Sequence, residues 1–276
     1  MIVAINFADE KYEPQRKYNT YTAYKKGKVD KVIEYKPSDI DKVFYQKNES
    51  ILSYKRGAGL WLWKPYFILK TLKNIRDGEY LLYSDSGSFF INKINHLVLA
   101  LEREGVDVMP FELPLLERQY TKMETFVKFG ITDFNKNQFL ASYILFKKSN
   151  RSISFVEEWL EALCDESILS PNKYNNDIIE LNDFIAHRED QSIFSILCHK
   201  YKFQGFRDPS QFGIRPWEYR GTGRILNIRS YTNSNYPQIL ISNRNLGIHK
   251  YKYKEIIKMF LFKIGCYSEK GYFKFR

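Results

Sequence analysis

The chain opens on a short apolar run, Ile2 to Phe7, of the kind a buried strand shows. A polar segment follows, in which Pro14 opens a helix reaching about residue 25, since proline is tolerated in a first helical turn. Lys31 to Tyr35 reads as a second strand, and Ser38-Asp39 as the cap of a helix ending at Lys47. Phe67, Ile68, Leu69 and Leu72 fall at helical spacing and predict a helix over residues 65–75. Asp77-Gly78 is a turn, and residues 80–83 form a third strand that runs into Ser84-Asp85-Ser86-Gly87. Beyond it the pattern predicts a helix over 96–103 and strands over 107–110 and 142–148. An amphipathic helix over 154–163, a polar loop over 165–182 and a helix over about 190–199 complete it.

Strands alternating with helices imply an α/β fold with an open, largely parallel sheet. Ligands of such sheets bind beyond the carboxyl ends of the strands. That rule singles out Ala8-Asp9-Glu10 after the first strand and Asp85-Ser86-Gly87 after the third. With 276 residues the chain suits one domain of two lobes sharing a core.

Composition adds a partner class. The net charge is +11, which favours an anionic partner. Residues 250–276 hold eight basic residues against two acidic ones, interleaved with aromatic and aliphatic side chains. More than half of the net charge thus sits in a tenth of the chain. A segment of this kind suits an anionic membrane surface, and as an ordinary final helix it would pack on the body with its lysines in water. Cys164, Cys198 and Cys266 form no C-x-x-C pair, which argues against a zinc module or disulfide scaffold and fits a reducing compartment. Neither a leader nor an apolar stretch of spanning length is visible, so the expected location is the cytoplasm, peripheral to the membrane at most.

Four places can carry chemistry. Tyr83-Ser84-Asp85-Ser86-Gly87 puts a carboxylate at a strand end beside a glycine, where oxygen ligands suit Mg²⁺ or Mn²⁺ and backbone can approach a ligand. The same residues are also ordinary turn formers. Arg56-Gly57-Ala58-Gly59-Leu60-Trp61-Leu62-Trp63-Lys64-Pro65 joins two glycines, two tryptophans and cations able to neutralise a diphosphate. Its spacing is not that of a P-loop, and its bland reading is a helix start with the tryptophans in the core. His187-Arg188-Glu189-Asp190-Gln191 places Glu189 and Asp190 at a helix N-terminus, as caps or, for Asp190, as a general base. The helix terminus is expected to keep Asp190 ionised and weakly basic. His249 is a candidate metal ligand or diphosphate contact.

These motifs, in this order, resemble bacterial glycosyltransferases of the GT-A fold found in capsule and O-antigen synthesis. The likeness rests on Gly57-Ala58-Gly59-Leu60-Trp61-Leu62-Trp63-Lys64-Pro65-Tyr66, Leu81-Leu82-Tyr83-Ser84-Asp85-Ser86-Gly87 and His187-Arg188-Glu189-Asp190-Gln191-Ser192. Gln138 to Phe146 and Phe155-Val156-Glu157-Glu158-Trp159 add to it. It runs from the first strand to about Leu197, and the last quarter of the chain matches loosely.

The resemblance implies a Rossmann-like mixed, mostly parallel central sheet flanked by helices in a catalytic domain over 1–249, with a nucleotide-sugar half over about 1–105 and an acceptor half over about 106–249. The basic aromatic segment 250–276 stands outside it. It implies a UDP-sugar donor bound by Ala8, Asp9, Arg56, Gly57, Trp63, Lys64, Ser84, Asp85, Ser86 and Gly87. It further implies a lipid-linked or oligosaccharide acceptor bound by Gln138, Ala141, His187 and Arg188, and Mn²⁺ or Mg²⁺ held by Asp85 with His249. Asp85 matches the first aspartate of the family's D-x-D motif, while Gly87 stands where the second is usual. Glu189 and Asp190 match the x-E-D motif, whose last residue is the base of inverting members. Two rival readings are a non-catalytic polysaccharide-assembly subunit with a degenerate metal site and a basic nucleic-acid-binding protein. The latter lacks any RRM, KH or zinc signature, so no nucleic acid partner is expected.

Overall fold

The computed structural model describes residues 1–243 and 247–269, with the side chains of 248–250 outside the described part. Its strands are β1 (Ile2–Phe7), β2 (Lys31–Tyr35), β3 (Tyr80–Ser84), β4 (Ser88–Phe90), β5 (Val108–Leu116), β6 (Asn137–Lys147), β7 (Phe206–Arg207) and β8 (Leu240–Ser242). The larger helices are α1 (Glu13–Thr22), α2 (Trp63–Asn74), α3 (Asn95–Glu104), α4 (Asn150–Leu163), α5 (Glu189–Lys200) and α6 (Ile248–Lys263).

Six strands form one mixed, mostly parallel sheet in the order β2-β1-β3-β6-β5-β7. β1 runs parallel to β2 and β3, and β5 parallel to β7. β6 runs antiparallel to both of its neighbours, which makes the sheet mixed, as the resemblance implies. Successive side chains point to opposite faces. Val3, Ile5, Leu81, Tyr83, Ile144 and Phe146 face one core, which α2, α4 and α5 cover. Ala4, Leu82, Tyr143 and Leu145 face a second core, covered by α3. Both lobes expected from the sequence contribute strands to this one sheet.

Three local departures have physical causes. β5 and β6 extend well past the expected 107–110 and 142–148. Pro110, Glu112 and Pro114 interrupt the apolar pattern of β5, and the strand absorbs them with register shifts against β6. The short helix Lys42–Lys47 is capped by Asp41, whose carboxylate accepts from Val43 N and Phe44 N at 2.9 and 3.3 Å, whereas Pro37–Asp39 forms a 3₁₀ turn before it. The ribbon of β4 and β8 pairs segments about 150 residues apart, beyond the reach of local pattern. Because β1 and β3 are parallel neighbours, Ala8-Asp9 and Asp85 emerge side by side at one sheet edge, and Asp85 N bonds Ser142 O of β6 at 2.9 Å.

Candidate active site

The turn after β3 is built from within. The Asn19 amide, on α1, donates to Ser84 Oγ and Ser88 O, both at 2.9 Å, and Ser86 Oγ donates to Phe7 O at 2.5 Å. Ser84 is spent on this scaffold and lies in the interior, away from the cavities described below. Asp85 is left facing outward. Its Oδ1 accepts from the Tyr83 hydroxyl at 2.5 Å, and burial together with the Asp85 charge pushes that phenol well above its ordinary value, so it stays a donor.

Lys64, in the first turn of α2, joins the two halves of the site. Its side chain is 3% exposed, and its ammonium pairs with Asp190 Oδ2, donates to Ala141 O at 3.2 Å and lies 3.8 Å from Asp85 Oδ1. One buried cation therefore bridges two carboxylates that are about a hundred residues apart in sequence. Burial pushes the Asp190 carboxyl up to about 6; Lys64 pulls it down, and the charges of Asp85 and Glu189 add to the rise. This reverses the expectation that the helix terminus would keep Asp190 weakly basic: removal from water outweighs the local dipole. Glu189 is also raised by burial and opposed by Arg56, whose Nε lies 2.5 Å from Glu189 Oε1.

A cleft of about 470 Å³ opens over the carboxyl ends of β1 and β3. Ala8, Asp9, Gly57, Trp63, Asp85, Ser86 and Gly87 line it, and Trp63 stacks on Phe7 with ring centroids 3.8 Å apart. A second cavity of about 270 Å³ is lined by Lys64, Ala141, Arg188, Glu189 and Asp190. The two share Trp61, Asp85 and Ser142, so they form one groove with Asp85 at the junction.

Arg56 lies outside both linings, against Glu189. Gln138 and His187 do not reach the groove. Gln138 is fully buried, giving its amide N–H to Glu117 and Thr121 at 3.2 Å and accepting from Gln191 at 2.9 Å. His187 accepts from Lys122 N at 3.3 Å, and burial pushes its imidazole down to about 3, so it is a neutral packing group. Their expected contact with an acceptor is therefore corrected to support from behind. Sequence reasoning gave no site role to Tyr83, Lys55, Ser142, Asn243 or Gln191, all of which line the groove. Gln191 follows the acidic pair directly and could have been found there, while Asn243 comes from a distant loop with no local signal.

The described residues do not suit the expected divalent cation. Asp85 is the one carboxylate at the D-x-D position, with Tyr83 and Lys64 already on its Oδ1 side. A side chain at position 87 is excluded, because a Cβ on Gly87 would stand 2.5 Å from Asn243 O, where the backbone is held by the Asn243 N to Gly87 O bond at 2.9 Å. Among the described residues, no three His, Cys, Asp or Glu side chains are grouped to hold a metal ion. The His249 side chain lies outside the described part, although its backbone falls in the first turn of α6.

No family model and no curated protein sequence matches the chain. Solved structures do. The galactosyltransferase LgtC in complex with donor and acceptor sugar analogues shares 14% identity over 92% of this chain and 94% of its own, with a TM-score of 0.49. Mouse xyloside xylosyltransferase 1 in its apo form shares 9% identity over 88% and 98%, with a TM-score of 0.49. The apo glycosyltransferase GlyE of Streptococcus pneumoniae TIGR4 shares 15% over 88% and 54%, with a TM-score of 0.41. All three are glycosyltransferases. At these identities and TM-scores the likeness decides nothing about activity, and the chemistry of the groove has to carry it.

Proposed function

We propose that this chain is a glycosyltransferase that moves a sugar from a UDP-sugar, a hexopyranose or a furanose such as galactofuranose, to a hydroxyl of a growing surface-polysaccharide acceptor, with inversion at the anomeric carbon. The observation that carries this reading is the pair Asp85 and Asp190 on one groove, bridged by the Lys64 ammonium. The larger cleft, with Trp63 and Tyr12 in its wall and the lysines Lys11 and Lys55 at hand, suits a base, a ribose and a diphosphate. The smaller cavity is polar and suits an acceptor hydroxyl beside Asp190.

In the proposed step Asp190 takes the acceptor proton as the oxygen bonds the anomeric carbon from one face. The bond to the diphosphate breaks on the other, leaving its electron pair on UDP. A carboxyl titrating near 6 is ionised at neutral pH yet basic enough to accept a proton. Protonation of Asp190 also loosens its hold on Lys64, freeing that charge to face Asp85 and the departing diphosphate. Because no three His, Cys, Asp or Glu side chains among the described residues are grouped to hold a metal ion, no step is routed through Mn²⁺ or Mg²⁺.

The last helix supports a membrane-borne acceptor. Tyr253, Ile256, Ile257, Phe260 and Ile264 form an exposed stripe along α6 and just past it, beside exposed Lys254 and Lys263. Glu255 is taken by Arg215, and Glu269 by Arg220. The segment thus turns apolar and cationic groups outward, which suits an anionic lipid surface carrying a lipid-linked acceptor. No helix among the described residues is long and apolar enough to cross a membrane.

The test is transfer from a panel of UDP-sugars to lipid-linked and synthetic acceptors, with product NMR at the anomeric centre. Inverted product is expected. A retained configuration would remove Asp190 as base, and an absence of both transfer and UDP release would remove the transferase reading.

A further inference from the structure

Residues 57–61 have an unusual backbone. Gly57, Ala58, Gly59, Leu60 and Trp61 all take positive φ, of 60, 49, 97, 50 and 61°. For the non-glycine residues this left-handed conformation is strained, because Cβ crowds the following carbonyl oxygen. Strain of this kind persists where it places something. Leu60 and Leu62, fully buried, pin the loop to the core, and Trp63 Nε1 donates to Gly57 O at 2.9 Å.

The side chain placed by this loop is Trp61. It is half-buried and lines both cavities, at the junction it shares with Asp85 and Ser142. Its indole lies against Gly57, where a Cβ would stand 2.5 Å from Trp61 Cδ2, so position 57 must be bare for the ring to sit there. Arg56 places its guanidinium 5.8 Å from the ring centre while holding Glu189, which links the indole to the start of α5. Trp63, two residues on, is held differently: it is 5% exposed, stacks on Phe7 and sits on ordinary helical backbone.

We infer that the Trp61 indole is the platform on which the transferred sugar ring stacks, between the diphosphate side of the groove and the Asp190 side. A sugar presents an apolar C–H face that an aromatic ring covers well, and its hydroxyls remain free for Asp85, Ser142 and Lys64 around the junction. Trp61 would then be a sugar-binding residue that leaves the nucleotide alone. The inference rests on the donor-site reading above.

The experiment titrates UDP, UDP-glucose and UDP-galactose calorimetrically into wild type, Trp61→Phe, Trp61→Ala and Gly57→Ala, with circular dichroism to check each fold. Wild type is expected to bind UDP and at least one UDP-sugar. Trp61→Ala should leave UDP affinity within about twofold and weaken the bound UDP-sugar about tenfold, the size of one stacking contact. Trp61→Phe should recover most of that loss, and Gly57→Ala, which keeps the indole but displaces it, should resemble Trp61→Ala. Equal weakening of UDP and UDP-sugar, or no weakening of either, overturns the platform while leaving the donor site standing. Failure of wild type to bind UDP overturns the donor site and the platform with it.

Discussion

Replacing Lys64 with glutamine tests how the two carboxylates are coupled. In the wild type the Asp190 carboxyl titrates near 6, with burial raising it and the Lys64 ammonium opposing that rise. The pair is a buried, charge-assisted hydrogen bond, and such bonds contribute about 1.5–3 kcal/mol. At about 1.4 kcal/mol per pH unit, losing the ammonium should move the Asp190 titration upward by about one to two units. Asp85, left without the cation between them, pushes in the same direction. The assay is kcat/KM for sugar transfer between pH 5 and 9 in both proteins. Wild-type activity should fall on the acid side with a limb near 6, because a protonated Asp190 cannot accept the acceptor proton. In Lys64→Gln the limb should lie between about 7 and 8, whatever the loss in maximal rate. A limb that stays in place, or moves to lower pH, would refute the coupling and remove Asp190 as the group that titrates.

Further outcomes follow from the same contacts. Asp190→Asn should lower kcat by a factor of about 10² or more, abolish the acid limb and leave UDP affinity nearly unchanged, as steady-state kinetics and calorimetry will show. UDP affinity measured in EDTA and in Mn²⁺ should differ by less than about fivefold, since no three described acidic, histidine or cysteine side chains are grouped to hold a divalent ion; strict dependence on Mn²⁺ would instead bring in ligands outside the described residues. Arg215→Met should destabilise the fold by about 3 kcal/mol, because it removes the fully buried cation between Glu218 and Glu255 and leaves them only the partly exposed Lys258. A fall in melting temperature of several degrees would register this, and an unchanged value would contradict it.

The elements most legible in the sequence were those whose pattern is local. β1 and β2 fall where their apolar runs place them, and the α5 region follows from its four apolar positions. Elements fixed by partners far along the chain were illegible. The pairing of β4 with β8 depends on neighbours about 150 residues apart, and the length of β5 depends on β6 accommodating two prolines and a buried glutamate. The site divides in the same way. Asp85 and Asp190 each stand in a recognisable local context, but their meeting requires Lys64 to reach both, and no spacing rule conveys that. Gln138 and His187 were misread as ligand contacts because a polar side chain beside a motif looks available until its burial is known. The raised titration of Asp190 was missed for the same reason, since a helix terminus is visible in sequence and the loss of solvent is not.

Co-crystallisation with UDP probes the central claim most directly. The account predicts the nucleotide in the larger cleft, its base against the wall containing Trp63 and Tyr12, and its diphosphate over residues 85–87 pointing toward Lys64 and Asp190. UDP bound at another surface, or a cleft that stays empty at saturating nucleotide, would contradict it.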